Sequence, residues 1–201
     1  MIFWLEMSAV AVCAITGTLE TGRRQMDLFG AAVVAFVAAL GGGTLRDLLL
    51  GRLPVFWVIA PANICVVILS VLATFITARR FRLSTSAFLI PDALGLALFT
   101  MLGTEKALAC HVGFMIAIVM GVITGVFGGI LRDVLCNEAP VVFRSELYAT
   151  AALSGALPFS VLNQAGTPNS LAFPLGIVVI FAIRMVALQW RITLPKLSPP
   201  R

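Results

Sequence analysis

The chain has 201 residues, of which 60% are hydrophobic and 11% charged, with a mean hydropathy of +1.06. Soluble domains carry roughly a quarter charged residues, so this composition excludes a soluble fold and leaves a polytopic membrane protein. At roughly 20 residues per span there is length for about seven crossings and none for a separate soluble domain. The net charge of +5 is then explained by basic cytoplasmic loops and not by nucleic-acid binding.

In chain order, Met1 to Gly17 is apolar, lacks a basic leader and carries Glu6 inside the run, which reads as a first span and not as a cleaved signal. A polar link, Glu20 to Gln25, follows. The second span starts near Asp27 and runs through Ala39 into Gly41-Gly42-Gly43. Leu53 to Trp57 turns the chain, with Pro54 as breaker and Phe56 and Trp57 as expected interfacial anchors. The third span, 58–78, has Pro61 in its first turn and ends on the basic cluster Arg79, Arg80, Phe81, Arg82. The fourth, 87–103, has Pro91 and Asp92 near its start; the fifth covers 107–131. Asn137 to Arg144 is a second turn containing Pro140, the sixth span covers 147–162, and an uncharged loop leads to the seventh, 171–190. The tail 191–201 is basic and proline-rich. Cys13, Cys65, Cys110 and Cys136 have no CxxC spacing and read as packing residues. His111 is a lone structural or interfacial residue.

The chain also says one thing twice. Gly41 to Asp47 is echoed by Phe127 to Asp133 at a constant offset of 86 residues. The same offset pairs Glu6 with Asp92, Gly17-Thr18 with Gly103-Thr104, Leu49 with Leu135, and Pro54 with Pro140. This is an internal duplication within a single transmembrane domain, 1–190: repeat one 1–78, repeat two 87–164, and a seventh helix outside both. Copies with three spans each insert in opposite orientations, and inverted repeats are a signature of transport proteins. The expected fold is therefore an all-α membrane protein with two inverted three-helix repeats plus a seventh helix. Arg23, Arg24, Arg79, Arg80, Arg82, Arg144, Arg191, Lys196 and Arg201 fall on one side of such a topology, and Arg52 and Lys106 on the other. The positive-inside rule then puts the N-terminus outside and the C-terminus in the cytoplasm.

Each copy ends an apolar helix with glycines and an adjacent Arg-Asp. Three consecutive glycines, each costing about 1 kcal/mol against alanine in a helix, predict a kink or unwound turn at Gly41, Gly42 and Gly43, with Gly125, Gly128 and Gly129 as its counterpart. Arg46 and Arg132 either snorkel to headgroups or face a watery path, since charge inside a membrane is rare and usually paired. Neighbours at i and i+1 do not face each other on a helix, so the expected pairs are crossed, Arg46 with Asp133 and Arg132 with Asp47. Arg184 lies well inside the seventh span, with Glu6 and Asp92 as candidate acids for it. The glycines are not followed by Lys-Ser/Thr, so no phosphate loop is present, and the sequence shows no enzyme motif, metal-ligand spacing or cofactor signature.

Two three-span repeats, each with GG(G)xxRD on its second helix, plus a seventh helix, resemble the prokaryotic trimeric intracellular cation (TRIC) channels and the related bacterial UPF0126 membrane proteins. Gly41 to Arg52 with Pro54 to Trp57 is the most specific match, and Gly128 to Leu135 the second. The resemblance implies a homotrimer in the inner membrane, with a monovalent-cation pathway in each protomer lined by kinked second and fifth helices. Potassium is the typical ion, sodium the other candidate, and membrane lipids or anions meet the basic residues of the kinks. Bacterial relatives also carry a glycine-transporter reading, which is a different mechanism. An arginine in a cation path needs an adjacent carboxylate or lipid phosphate to offset it, a part that Asp47 and Asp133 would fill.

Overall fold

The computed structural model describes residues 2–80, 86–144, 147–190 and 192. Outside them lie Phe81 and Arg82 of the basic cluster and, Ile192 apart, the proline-rich tail. The described residues form nine helices and no strand: α1 (Ile2–Arg23), α2 (Leu28–Leu49), α3 (Phe56–Ile59), α4 (Ala62–Arg80), α5 (Ser86–Ala109), α6 (Phe114–Leu135), α7 (Val141–Arg144), α8 (Ala149–Gln164) and α9 (Asn169–Trp190). Five of them, α1, α2, α5, α6 and α9, are long and apolar enough to cross a membrane. The apolar part of α4, Ala62–Ala78, and the 16-residue α8 are shorter.

Several expected boundaries move, each for a local reason. The first span does not stop at Gly17: α1 continues through Glu20 and Thr21, both buried. Polar groups are satisfied within the helix, as the Thr18 and Thr21 hydroxyls donate to the Ala14 and Thr18 carbonyls and Arg23 pairs with Glu20. The third span is split. Ala60 leaves the helical region (φ −119°, ψ 84°), as residues before proline tend to, and α4 starts only after Pro61. The fifth span begins at Phe114 instead of 107, because α5 runs on to Ala109 and the chain then turns through His111 at φ +57°. Asp27 caps α2, its side chain accepting from the Gly30 N–H.

The duplication is visible in the helix ends. Arg52 N–H donates to the Asp47 carbonyl and Gly51 N–H to that of Leu48; Glu138 donates to Asp133 and Asn137 to Val134 in the same way. These are Schellman caps, and their left-handed residues, Gly51 (φ +67°) and Asn137 (φ +55°), sit at the offset of 86. Gln25 (φ +53°) and His111 (φ +57°) pair at the same offset, so His111 is a turn residue.

The core is built from small side chains, with Ala9, Ala14, Ala35, Ala39, Ala97, Ala151, Ala152 and Ala156 buried, so the backbones approach closely, as in membrane bundles. Large apolar residues such as Leu69, Ile76, Met115, Leu171 and Val178 point outward instead. That inversion of the soluble pattern suits a lipid surroundings.

Candidate functional site: the α2–α6 crossing and its buried charges

α2 and α6 run unbroken through their glycines, so the expected unwound turn is absent. The glycines bring two backbones together. A Cβ on Gly42 would lie 2.1 Å from the Thr124 carbonyl oxygen, and one on Gly128 would lie 2.2 Å from that of Ala38. Those two contacts exchange the copies residue for residue, since Gly42 matches Gly128 and Ala38 matches Thr124. A reciprocal contact of this kind is the mark of a two-fold relation. Gly41 has only the Leu131 side chain within 3 Å, Gly125 meets Thr100 and the Leu96 carbonyl, and Gly129 has ordinary contacts, so the motif glycines do different work.

Both arginines are buried inside the protein, Arg46 and Arg132 at 2% exposure each, and neither snorkels outward. The expected crossed pairs do not form. Arg46 donates from Nε and Nη2 to Oδ1 of its neighbour Asp47 (2.9 and 2.7 Å), and Arg132 Nε donates to Oδ1 of Asp133 (2.9 Å). The adjacent residues do not share a helix face, but the long arginine side chain bends around the last turn. Each aspartate is held ready for it by its second oxygen, which accepts a backbone N–H from the following segment: Phe56 to Asp47 (2.8 Å) and Val141 to Asp133 (2.9 Å). Each carboxylate therefore ties its helix to the turn beyond it as well as neutralising an arginine.

The remaining acids have partners that sequence spacing did not single out. Asp92 accepts at Oδ1 from Arg132 Nη1 (2.8 Å) and from the Tyr148 hydroxyl (3.4 Å), and Glu6 pairs with Lys106 (2.7 Å). Arg184 is fully buried in α9 with its guanidinium 4.6 Å from the Tyr148 ring centre. Lys106 is inside α5, not in an outer loop. Phe56, an expected interfacial anchor, is buried between the cations of Arg46 and Lys106, 5.6 and 5.3 Å from its ring centre. Trp57 is half-buried and donates from Nε1 to Thr44 Oγ1 (3.0 Å). Phe88 plays a similar part for Arg132 (4.7 Å) and Arg23 (5.2 Å). Tyr148, the one tyrosine of the chain, offered a compositional signal; Phe56, one of 14 phenylalanines, offered none.

Two spaces flank these clusters. A vestibule of about 420 Å³ is lined by Glu6, Asp47, Arg52, Phe56, Asn63 and Lys106 among others. A crevice at the α2–α6 crossing is lined by Thr16, Gly42, Gly43, Asp92, Thr124 and Arg132 among others, with about 10 Å³ of room for the centre of a water-sized sphere. That is the room of about one water molecule. Phe56 stands between the two, because it lines the vestibule and its ring packs on Gly43, where a Cβ would be 2.5 Å away. The ion pair of Arg24 with Glu138 puts the α1–α2 link and the turn after α6 at one end of the bundle. Glu6 with Lys106 puts the start of α1 and the end of α5 at the vestibule end.

The family model described as "Glycine transporter" matches two segments, 3–79 and 89–164, one for each copy of the duplication. The UPF0126 inner membrane protein YadS of Escherichia coli strain K12 is 41% identical over 198 residues, covering 97% of this chain and 95% of its own. Among solved structures, the TRIC trimeric intracellular cation channel orthologue from Rhodobacter sphaeroides superposes with a TM-score of 0.91 at 41% identity, over 95% of this chain and 98% of the other. A structure addressing conductance through TRIC cation channels superposes with a TM-score of 0.89 at 30% identity, over 98% and 97%.

Proposed function

Since this chain belongs to the UPF0126 family of bacterial inner-membrane proteins and shares the TRIC channel fold, we propose that it is a monovalent-cation channel, with potassium the principal ion. The observation that carries the reading is the crevice where α2 crosses α6. It narrows to about one water and is bordered by Arg132, which is hydrogen-bonded to two carboxylates. A narrow passage bordered by a carboxylate favours a small cation over an anion. The passage runs from the vestibule, past Phe56, through the crevice and out beside Arg132. Arg46 and Arg132 set its electrostatics together with Asp47, Asp133 and Asp92. The α2–α6 seam, with no side chains between Gly42 and Thr124 or between Gly128 and Ala38, is the place where a bend or slide of these helices widens it.

Seven helices cross the membrane, the two repeats are inverted, and three copies assemble around the exposed apolar faces, each with its own pathway. The vestibule faces outside, with the N-terminus, and the Arg24–Glu138 end faces the cytoplasm with the basic residues. The second reading is a glycine carrier. It is favoured by the description of the matching family model and by a vestibule ample for a small amino acid, whereas the crevice admits one only if α2 and α6 part.

Reconstitution of the purified protein in liposomes tests the choice, with K⁺, Na⁺, Cl⁻ and glycine each supplied alone. A channel gives K⁺ flux that is uncoupled and does not saturate at low millimolar levels. Saturable glycine uptake without ion current overturns the channel reading, and crosslinking in native membranes that stops at monomers or dimers removes the trimer.

A further inference from the structure

Asp92 is 5% exposed and uses only one of its two carboxylate oxygens in hydrogen bonds. Oδ1 receives Arg132 and Tyr148; Oδ2 is buried, has no hydrogen-bond partner, and belongs to a side chain that lines the crevice. A buried carboxylate oxygen normally finds a donor, and one that does not invites a ligand. The equivalent acid of the first copy, Glu6, is at the vestibule and is engaged by Lys106. Asp92 is thus the acid of its pair that reaches the narrowest place.

The local charge points the same way. Arg132 is bonded to two carboxylates, Asp92 and Asp133, while Arg46 is bonded to Asp47 alone. The Asp133 oxygens are both engaged, one by Arg132 and one by the Val141 N–H. Only Asp92 has an oxygen left over. Arg184, the next cation, stacks on Tyr148 and does not line the crevice. The other polar groups there include the Thr16 and Thr124 hydroxyls and Arg132, whose Nη2 has no hydrogen-bond partner. Thr16 and Thr124 each direct their single proton to a backbone carbonyl, of Cys13 and Met120, which leaves oxygen lone pairs for a cation and no proton for an anion. A potassium ion is close to a water molecule in size, so the crevice accepts it with its hydration shell largely removed. An anion meets the carboxylate of Asp92 there, and a zwitterionic amino acid does not fit.

We propose that Oδ2 of Asp92 is the coordinating and selecting atom for a permeating monovalent cation, and that Arg132 and Tyr148 are positioning residues that fix the carboxylate through Oδ1. The proposal rests on the channel reading above. It also explains why an arginine is compatible with a cation path, because Arg132 orients the carboxylate with one nitrogen while its charge is outweighed by two acids.

The test measures reversal potentials of the full-length protein in planar bilayers under a KCl gradient. Asp92→Asn keeps the shape and leaves Arg132 bonded to Asp133, so the protein is expected to fold and its K⁺/Cl⁻ permeability ratio to fall by about tenfold or more, a modest demand on a charge in a narrow low-dielectric passage. Asp92→Glu keeps the charge and is expected to keep the cation preference. An Asp92→Asn ratio equal to wild type overturns the assignment while leaving the channel reading intact; absence of K⁺ current from wild type overturns both. A crystal of the wild-type protein soaked in Tl⁺ supplies the measurement that does not depend on a variant folding. An anomalous peak within coordination distance of Asp92 Oδ2 is expected, and peaks elsewhere only, or none, overturn the proposal.

Discussion

Replacing Gly42 by alanine isolates what the glycine motif does. The added methyl carbon would be 2.1 Å from the Thr124 carbonyl oxygen and 3.1 Å from its carbon, both backbone atoms that no rotamer change removes. To restore ordinary contact α2 and α6 must part by roughly 1 Å, a gap that forfeits a quarter to a half of the dispersion energy of each contact it opens. Overpacking of this kind costs about 1–3 kcal/mol, while alanine recovers about 1 kcal/mol of helix propensity. The net expectation is a loss of up to about 2 kcal/mol, seen as a Tm lowered by up to about 8 °C for a chain of this length in detergent. Gly128→Ala is expected to match it, since its methyl meets the Ala38 carbonyl oxygen at 2.2 Å. The double variant should lose less than the sum, because helices already parted accept the second methyl. Gly129→Ala, at 3.4 Å from the Tyr148 hydroxyl, should be near neutral, and Gly22→Ala, with nothing within 4 Å, neutral or stabilising. If Gly42→Ala and Gly128→Ala melt at or above the wild-type temperature, the close crossing is not what these glycines are for. A reduced K⁺ flux in variants that still fold would tie the same seam to permeation.

Asp47→Ala removes both the partner of buried Arg46 and the acceptor of the Phe56 N–H, so a loss of about 3–5 kcal/mol is expected by thermal unfolding. Asp47→Asn, which keeps an oxygen for Phe56, should lose clearly less. Arg132→Gln strands two buried carboxylates and Arg46→Gln one, so the first should lower the Tm more than the second; equal effects would contradict the pairing. Where these variants assemble, both should shift reversal potential, and values matching wild type would mean the arginines only anchor their helices. Phe56→Ala removes a buried ring between vestibule and crevice and should raise K⁺ conductance while costing about 3–5 kcal/mol in stability. Unchanged conductance in the folded variant would remove Phe56 from the path.

Composition alone determined that this chain lives in a membrane, because 11% charged residues cannot hydrate a surface. The offset of 86 determined the duplication, and the structure repeats it in helix caps and glycine contacts, since those depend on residues only a few positions apart. That Arg46 and Arg132 either snorkel to headgroups or lie inside with acid partners was legible, and their burial selects the second. Which partners they take was decided only by the fold. The rule that i and i+1 do not face each other describes Cβ directions; it does not limit an arginine long enough to bend around a helix end toward a carboxylate pinned by the next segment. Asp92 and Arg132, or Glu6 and Lys106, are brought together by how α1, α5 and α6 rotate against one another, a consequence of packing small residues that leaves no local signature. The role of Gly42 and Gly128 was hidden for the same reason. A run of glycines permits a break or a close approach, and only the presence of a second backbone within touching distance selects between them.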